Sequence, residues 1–69
     1  MIRRLEFYFD NKKKVHISCS FGRFYNGNIK EIQAKKKIII LIDDKLGGLP
    51  IPFNDIEQIE PFKEVENEK

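Results

Sequence analysis

Apolar and polar residues alternate most regularly in two short segments of the chain. Residues 15 to 20, VHISCS, place Val15, Ile17 and Cys19 on one side and three polar side chains on the other. Residues 49 to 53, LPIPF, alternate in the same way around two prolines. Successive side chains of a β-strand point to opposite faces, so this pattern predicts strands with one buried face.

Two further segments have the length and composition of strands. Residues 38 to 42, IIILI, form an aliphatic run that predicts a strand with apolar residues on both faces. Residues 56 to 62, IEQIEPF, predict a last short strand. The connections around the LPIPF strand are short, with DDKLGG before it and NDI after it, and NDI has the length of one helical turn.

The remaining strand depends on which of two glycines turns the chain. Asn26-Gly27 is a strong hairpin dipeptide, but a turn there would set charged residues opposite apolar ones. A turn at Gly22-Arg23 gives strands of better matched length, the second running over about residues 24 to 32. We therefore predict that Gly22 lies in the turn. Gly27 then lies inside the strand, where glycine usually marks a bend or a close backbone approach.

Alternation within this predicted strand assigns its side chains to two faces. Tyr25, Gly27, Ile29 and Glu31 share one face, and Phe24 falls on the other. One of the two adjacent aromatic rings must therefore leave the core. An exposed aromatic ring suits base stacking or a subunit interface, and we favour the interface.

Five short strands with a glycine bend predict a mainly β fold. We expect a small, strongly bent five-stranded antiparallel barrel of the SH3-like type. Residues 1–62 would form this single domain, and residues 63–69, KEVENEK, would form an acidic flexible tail.

The chain is small and has no covalent staple. It has 69 residues, and a chain of this size buries only about 60% of its unfolded surface. Its single cysteine, Cys19, excludes an internal disulfide and lies in an apolar pattern that indicates a buried, inert thiol. Self-association is the remaining source of stability, so we expect a homo-oligomer.

Charge is unevenly distributed along the chain, although the formal net charge is only +2. Basic residues cluster at Arg3-Arg4, at residues 12 to 14 and at residues 35 to 37, and acidic residues dominate from Glu57 onward. No apolar run approaches the roughly 20 residues of a membrane span, and the amino terminus has no signal-peptide pattern. We expect a cytoplasmic protein that does not contact a membrane.

The segment VHISCSFGRFYNGNIKEIQAKKKIII resembles the first motif of the Sm and Sm-like (LSm) proteins. In that family, an alternating strand leads to Gly-Arg, an apolar residue, a glycine inside the next strand and an aliphatic residue two positions later. Those places are held here by Gly22, Arg23, Tyr25, Gly27 and Ile29. The segment IPFNDIEQIEPF is similar to the last two Sm-like strands, and the resemblance covers roughly residues 15 to 62.

The resemblance implies an Sm-like barrel that assembles into a ring or another homo-oligomer and binds nucleic acid, with RNA the expected ligand. Sm-like proteins also begin with a short helix, which favours a helix in the segment IRRLEFYFD. The residues of this segment fit two structures. Ile2, Leu5 and Phe9 would share a helix face, whereas Leu5, Phe7 and Phe9 would share a strand face.

The residues that form the uridine pocket of the family are replaced in this chain. Gln33 stands where the family has an aspartate, and Lys36 and Lys37 stand where it has an apolar residue and an asparagine. The Arg-Gly pair of the second family motif is also missing. Base-specific recognition of uridine is therefore not expected.

Lys35, Lys36 and Lys37 are the main candidates for nucleic-acid binding, because the resemblance places their loop against the nucleic acid. Three adjacent ammonium groups can contact phosphates without reading the sequence. The alternative is a solvated lysine-rich turn. Arg23 is a further candidate, since its guanidinium can contact phosphate or stack on a base; the alternative there is an ordinary surface arginine.

No residue pattern indicates catalysis. His16 is the only histidine, and it has no nucleophile or carboxylate at a meaningful spacing. Asp43 and Asp44 are adjacent, so they point apart at a strand end, which is typical of a turn and not of an acid–base pair. We expect a non-enzymatic protein with no cofactor and no metal site. RNA binding through phosphate contacts is the predicted function, and a protein-interaction or assembly barrel with no nucleic-acid role is the alternative.

Two prolines limit how the fourth strand can pair. Pro50 and Pro52 lie two residues apart, so their missing N–H groups fall on the same edge of the strand. In Sm-like rings this strand pairs with the last strand of the next subunit. We expect the prolines on that outer edge, because the fold depends on backbone hydrogen bonds within the subunit more than assembly depends on backbone hydrogen bonds between subunits.

Overall fold

The computed structural model describes residues 2–63, which form one helix followed by five strands. Two three-residue 3₁₀ turns, Ser20–Gly22 and Phe53–Asp55, connect strands that are consecutive in the chain. The helix and strands are α1 (Ile2–Asp10), β1 (Lys14–Cys19), β2 (Phe24–Gln33), β3 (Ile38–Asp43), β4 (Gly47–Pro52) and β5 (Ile56–Pro61). The predicted tail at residues 63–69 lies outside the described residues apart from Lys63.

All five strands join one antiparallel sheet in the order β4-β3-β2-β1-β5. The predicted mainly β fold, the five antiparallel strands and the helical form of the amino-terminal segment are thereby confirmed. β4 and β5 are the two edges, and within residues 2–63 they do not pair with each other. The sheet is not closed into a barrel, so the predicted closure is not confirmed.

The two edges of the sheet approach each other at one end. Only the turn Phe53–Asp55 separates β4 from β5, so Pro52 and Ile56 lie four positions apart in the chain. Cα atoms four positions apart are separated by at most about 15 Å, whereas the edge strands of a flat five-stranded sheet lie about 19 Å apart. The sheet must therefore curve.

The core lies between one face of the sheet and one side of α1. Its buried apolar residues are Leu5, Tyr8, Val15, Ile17, Cys19, Ile29, Ile39, Leu41, Ile51, Ile56 and Ile59. The alternation predicted for β1 is confirmed, because all three of its apolar residues are buried. On α1, Leu5 and Tyr8 are buried, whereas Phe9 is 38% exposed. Residues three apart share a helix face, so the face that meets the sheet passes through Tyr8 and leaves Phe9 at its margin.

β2 contains a bulge that the sequence alternation does not reveal. Ile29 lies opposite Leu41 on β3, but Glu31 lies opposite the adjacent β3 residue, so Lys30 is an extra residue in the strand. One inserted residue exchanges the two faces beyond it. Glu31 is consequently exposed, and Ile32 packs against the core. The predicted placement of Glu31 on the face of Ile29 is wrong for this reason.

The turn between β1 and β2 contains Gly22, as predicted. Gly22 has a φ of +76°, a left-handed conformation that glycine adopts without steric penalty. The Cys19 N–H donates to the carbonyl of Arg23 at 2.7 Å and closes the turn. Phe21, beside Gly22, also has a positive φ of 63° and is 95% exposed.

Gly27 lies inside β2 at a close approach of two backbones, as predicted. A β-carbon on this buried glycine would collide with the carbonyl oxygen of Ile42 and lie 2.7 Å from its carbonyl carbon. It would also lie 3.0 Å from the Cα of Asp43. Real β-carbons do not approach backbone atoms this closely, so the pairing of β2 with β3 requires glycine here.

The prolines of β4 lie on its outer edge, as predicted. The Phe53 N–H donates to the carbonyl of Lys37 at 2.8 Å, and Pro52 lies opposite Ile38. Backbone groups of successive strand residues point to alternate sides, so Leu49 and Ile51 direct their N–H groups toward β3. Pro50 and Pro52 face away from the ladder.

Candidate nucleic-acid interface

The turn between β2 and β3 displays the three candidate lysines. The Lys37 N–H donates to the carbonyl of Ala34 at 3.2 Å, and Lys37 has a φ of 58°. The side chains of Lys35, Lys36 and Lys37 are exposed. Within the described part of the chain, none of the three forms an ion pair with a carboxylate. Their charges are therefore available to an anion from solution.

The turn Phe53–Asp55 brings Arg23 to the same end of the sheet as the lysines. The Phe53 N–H donates a hydrogen bond to the carbonyl of Lys37. Two residues later, the Asp55 carboxylate accepts a hydrogen bond from Nη2 of Arg23 at 3.1 Å. The 3₁₀ rise is about 2 Å per residue. Arg23 and the lysine turn thus lie on either side of the Phe53–Asp55 turn, although Arg23 precedes the ten-residue strand β2 and the lysine turn follows it.

Arg23 differs from the lysines because its charge is shared with Asp55. The two side chains are 55% and 25% exposed. An ion pair at this exposure contributes little to stability and exchanges readily with solvent and salt. Arg23 can therefore bind a phosphate only after its ion pair with Asp55 breaks. It is a weaker candidate than the lysines.

Cys19 lies beneath this ion pair and is buried, as the sequence predicts. Burial raises the pKa of its thiol, and the neighbouring Asp55 carboxylate raises the pKa further against the opposing effect of Arg23. A thiol with a raised pKa forms little thiolate at neutral pH and is a poor nucleophile. Cys19 is a core residue.

An acidic cleft borders the lysine turn, and the sequence reasoning missed it. Glu6 and Asp10 of α1 face Glu31 across a depression of about 450 Å³ that also contacts Ala34. The first two residues are four apart on one helix face, but nothing in the sequence pairs them with a strand 21 positions later. The cleft therefore places three carboxylates on the side of the turn that faces α1.

Phe24 and Tyr25 separate as predicted, with one ring outside the core. Phe24 is 61% exposed, whereas Tyr25 packs against the core. The Phe24 ring lies 5.5 Å from that of His16, whose Nδ1 is hydrogen-bonded to Oδ1 of Asn26. His16 thus has a structural partner on the outer face of β1 and β2.

A groove beside Phe24 is lined by four aromatic or aliphatic side chains and by four polar ones, Asn26, Asp43, Asp44 and Lys45. Its volume is about 320 Å³, and its walls include Phe24, Tyr25, Leu46 and Phe62. Leu46 is 69% exposed. The ammonium group of Lys14 lies 4.3 Å from the centre of the Phe62 ring.

The paired aspartates act separately, as expected for a turn. Asp43 is 8% exposed and accepts hydrogen bonds from the N–H groups of Asn26, Lys45 and Leu46 at 2.9 to 3.0 Å. Burial raises its pKa, but these three bonds and the charge of Lys45 lower it more, so the pKa lies below the ordinary value. Asp44 forms an ion pair with Lys14 instead.

Residues 2–63 contain no group of three or more His, Cys, Asp or Glu side chains placed to hold a metal ion. Over the same residues, no helix is long and apolar enough to cross a membrane. Comparisons of the chain with protein-family models, with curated proteins and with solved structures find no match. The resemblance to the Sm-like family stays a prediction from the sequence.

Proposed function

We propose that this protein is a non-catalytic module that binds RNA through phosphate contacts and acts as a homo-oligomer. The observation that carries the proposal is the turn bearing Lys35, Lys36 and Lys37, all exposed and without a carboxylate partner within residues 2–63. Cations of this kind neutralise phosphates and release condensed counterions, which drives association with nucleic acid.

The chemistry of the turn supports binding that is independent of base sequence. Lysine ammonium groups are compact point charges that recognise phosphate by charge. Contacts to phosphate position a nucleic acid but carry no sequence information. The pocket residues of the Sm-like family are replaced at Gln33, Lys36 and Lys37. The expected ligand is therefore single-stranded RNA of any sequence.

Several features of the fold support a strongly bent, Sm-like barrel as the scaffold. A helix precedes five antiparallel strands, and a glycine with no room for a β-carbon lies inside β2. Three residues join the two edge strands, which requires a curved sheet. The glycine and the three-residue connection lie within the segment that resembles the family, and the helix precedes that segment. Together they favour the same assembly into a ring or a smaller homo-oligomer.

Replacing all three lysines of the turn with glutamine tests the RNA proposal. We expect the affinity for single-stranded RNA to fall and the slope of log affinity against log salt concentration to flatten by about two, since each phosphate contact contributes about 0.7. Preference among RNA sequences should not change. Fluorescence anisotropy with poly-U and mixed-sequence RNA at several salt concentrations measures both quantities.

A charge-matched control separates this turn from general positive charge. Lys12, Lys13 and Lys63 are exposed and lie outside the turn, so their replacement by glutamine removes the same charge. The control variant should keep most of the salt dependence. Equal losses in the two variants would show that the turn is not the binding site.

Protein interaction without nucleic acid is the second candidate function. It is favoured by the groove at Phe24, Tyr25, Leu46 and Phe62, because Phe24 and Leu46 are exposed there and offer apolar surface to a partner. Unchanged affinity of the lysine-turn variant for both RNAs, or no binding of RNA by the wild type, would favour this candidate.

A further inference from the structure

Phe21 combines a strained backbone with a side chain that packs against almost nothing. Its φ of 63° and ψ of 27° lie in the left-handed region, where a β-carbon crowds the following carbonyl oxygen. Turns usually hold glycine, asparagine or aspartate at such a position. The side chain is 95% exposed, so contacts within residues 2–63 do not offset the strain.

Other residues share one of these properties but not both. Phe24 is exposed, but its ring lies 5.5 Å from that of His16 and lines the groove. Lys12 and Lys37 also have a positive φ, but solvation of the ammonium group explains an exposed lysine. Neither backbone preference nor packing explains a phenylalanine at position 21. Strain that is retained without a structural reason points to function.

The charged groups near Phe21 suit a nucleic acid. Arg23 is two residues away, so the two Cα atoms are at most about 7 Å apart. Arg23 contacts one end of the turn Phe53–Asp55, and the other end of that turn binds the carbonyl of Lys37. Phe21 thus lies beside Arg23 at one end of the surface that carries the candidate phosphate contacts.

We propose that Phe21 is a base-stacking site, which binds one unpaired base of an RNA strand whose phosphates contact Arg23 and the lysine turn. The face of an exposed phenyl ring accepts any base, because every base has a π-face. Within a duplex, neighbouring base pairs cover both faces of each base. Phe21 therefore selects single-stranded RNA without selecting its sequence.

The lysine turn cannot make this selection by charge. A duplex carries its phosphates at higher density than a single strand and releases more counterions per contact, so ammonium groups alone favour the duplex. A stacking ring adds affinity that only an unpaired base can use. It carries no charge, so its contribution differs from that of the lysines in salt dependence.

The inference rests on the RNA-binding part of the proposed function, and the two can fail separately. If the lysine-turn variant loses affinity for single-stranded RNA and Phe21→Asn does not, RNA binding stands and stacking on Phe21 is wrong. If the wild type binds no RNA, both are wrong.

Phe21→Asn tests the proposal, because asparagine tolerates the left-handed conformation and has no ring. We expect Tm to rise by about 2–8 °C as strain is relieved. Affinity for single-stranded RNA should fall about 5- to 150-fold, the usual loss for one stacked base, with an unchanged salt slope. Affinity for an RNA duplex, and for an oligonucleotide of the same length without bases, should not change. Fluorescence anisotropy measures all three ligands.

Two control variants separate the ring at position 21 from other effects. Phe21→Tyr keeps an aromatic face and should bind as the wild type does. Phe7→Gln removes a 53% exposed ring from α1 and should leave RNA affinity unchanged. Native mass spectrometry should give Phe21→Asn the same assembly mass as the wild type.

Four results would each overturn the proposal. They are a lower Tm for Phe21→Asn, an equal loss of affinity for duplex and single strand, a loss of affinity in Phe21→Tyr as large as in Phe21→Asn, and a loss of assembly mass with unchanged RNA affinity. The last result would assign the ring to a subunit interface.

Discussion

Two backbones approach each other closely at Gly27, where even a methyl group has no space. The space that a β-carbon needs is filled by the carbonyl of Ile42 and the Cα of Asp43. Backbone atoms of a central strand cannot move aside as the end of a flexible side chain can. The constraint therefore acts through the pairing of β2 with β3.

We expect Gly27→Ala to destabilise the fold by at least about 1–3 kcal/mol, the usual effect of overpacking, and Gly27→Val to prevent folding. Gly48→Ala is the matched control, because its β-carbon would meet only the side-chain end of Ile42 at 3.3 Å. Urea unfolding measures both. An alanine at position 27 that shifts stability by less than about 0.5 kcal/mol, as at an ordinary surface site, contradicts the close approach.

Asp43 is expected to control how the stability of the fold responds to acid. Its pKa is lower in the folded chain than the ordinary value of 3.8, so the folded state favours the ionised form. The stabilisation is fully present above the unfolded pKa and is lost as pH falls through the folded pKa. Asp43→Asn should destabilise the protein by about 1–3 kcal/mol at neutral pH and remove the steepest part of its acid sensitivity below about pH 4.

Thermal unfolding of Asp43→Asn and of the wild type, followed between neutral pH and about pH 2, checks this prediction. Asp44→Asn serves as the control, because Asp44 is exposed and paired only with Lys14 among the described residues. Parallel pH profiles for Asp43→Asn and the wild type would show that another group controls the acid response.

Among the elements, the turn Phe53–Asp55 is the one that relates the candidate site residues to each other. It binds the Lys37 carbonyl at one end and the Arg23 guanidinium at the other. Asp55 also pairs with Arg23, so under the proposed function this turn limits the positive charge available to RNA.

Asp55→Asn should therefore tighten RNA binding by about two- to fivefold at low salt, since it releases Arg23 from an exposed ion pair. Adding Arg23→Gln should cancel the gain. Glu60→Gln removes the same charge from the outer side of β5 and should have a smaller effect. A gain that survives the loss of Arg23 would mean that Asp55 acts by its own repulsion of phosphate and not through the arginine.

The strands were predictable from the sequence because their apolar residues recur with a period of two. The sequence predicted less well which residues of a strand face the core. The IIILI run gives no sign that Ile39 is fully buried while Ile42 is 40% exposed, and alternation cannot register an inserted residue such as Lys30. The helix face moved by one residue, from Phe9 to Tyr8, because spacings of three and of four both fit one face.

The sequence identified the basic residues of the candidate site but not the residues that contact them. Three consecutive lysines identify a basic turn, and Gly22 locates the turn that precedes Arg23. The partner of Arg23 is Asp55, 32 positions away, and the partner of Arg4 is Ile59, 55 positions away. Such pairs depend on the curvature of the whole sheet, which no local pattern encodes.

For the molecule as a whole, the strand order places the first strand beside the last. β1 lies between β2 and β5, and its pairing with β5 runs from Val15 opposite Pro61 to Cys19 opposite Ile56. β2, β3 and β4 are sequential neighbours and need only short connections. One half of the ladder of β1 therefore depends on the most distant part of the chain.

This order matters while the protein is being made. Ribosomes add about 5–20 residues per second, and β5 ends 42 positions after β1, at residue 61 as against residue 19. For about 2–8 s, the nascent chain holds β1 with an open edge and with Val15, Ile17 and Cys19 lacking their final cover. Strand mispairing with a neighbouring nascent chain is most favourable in that interval, and slow codons ahead of residue 56 would prolong it.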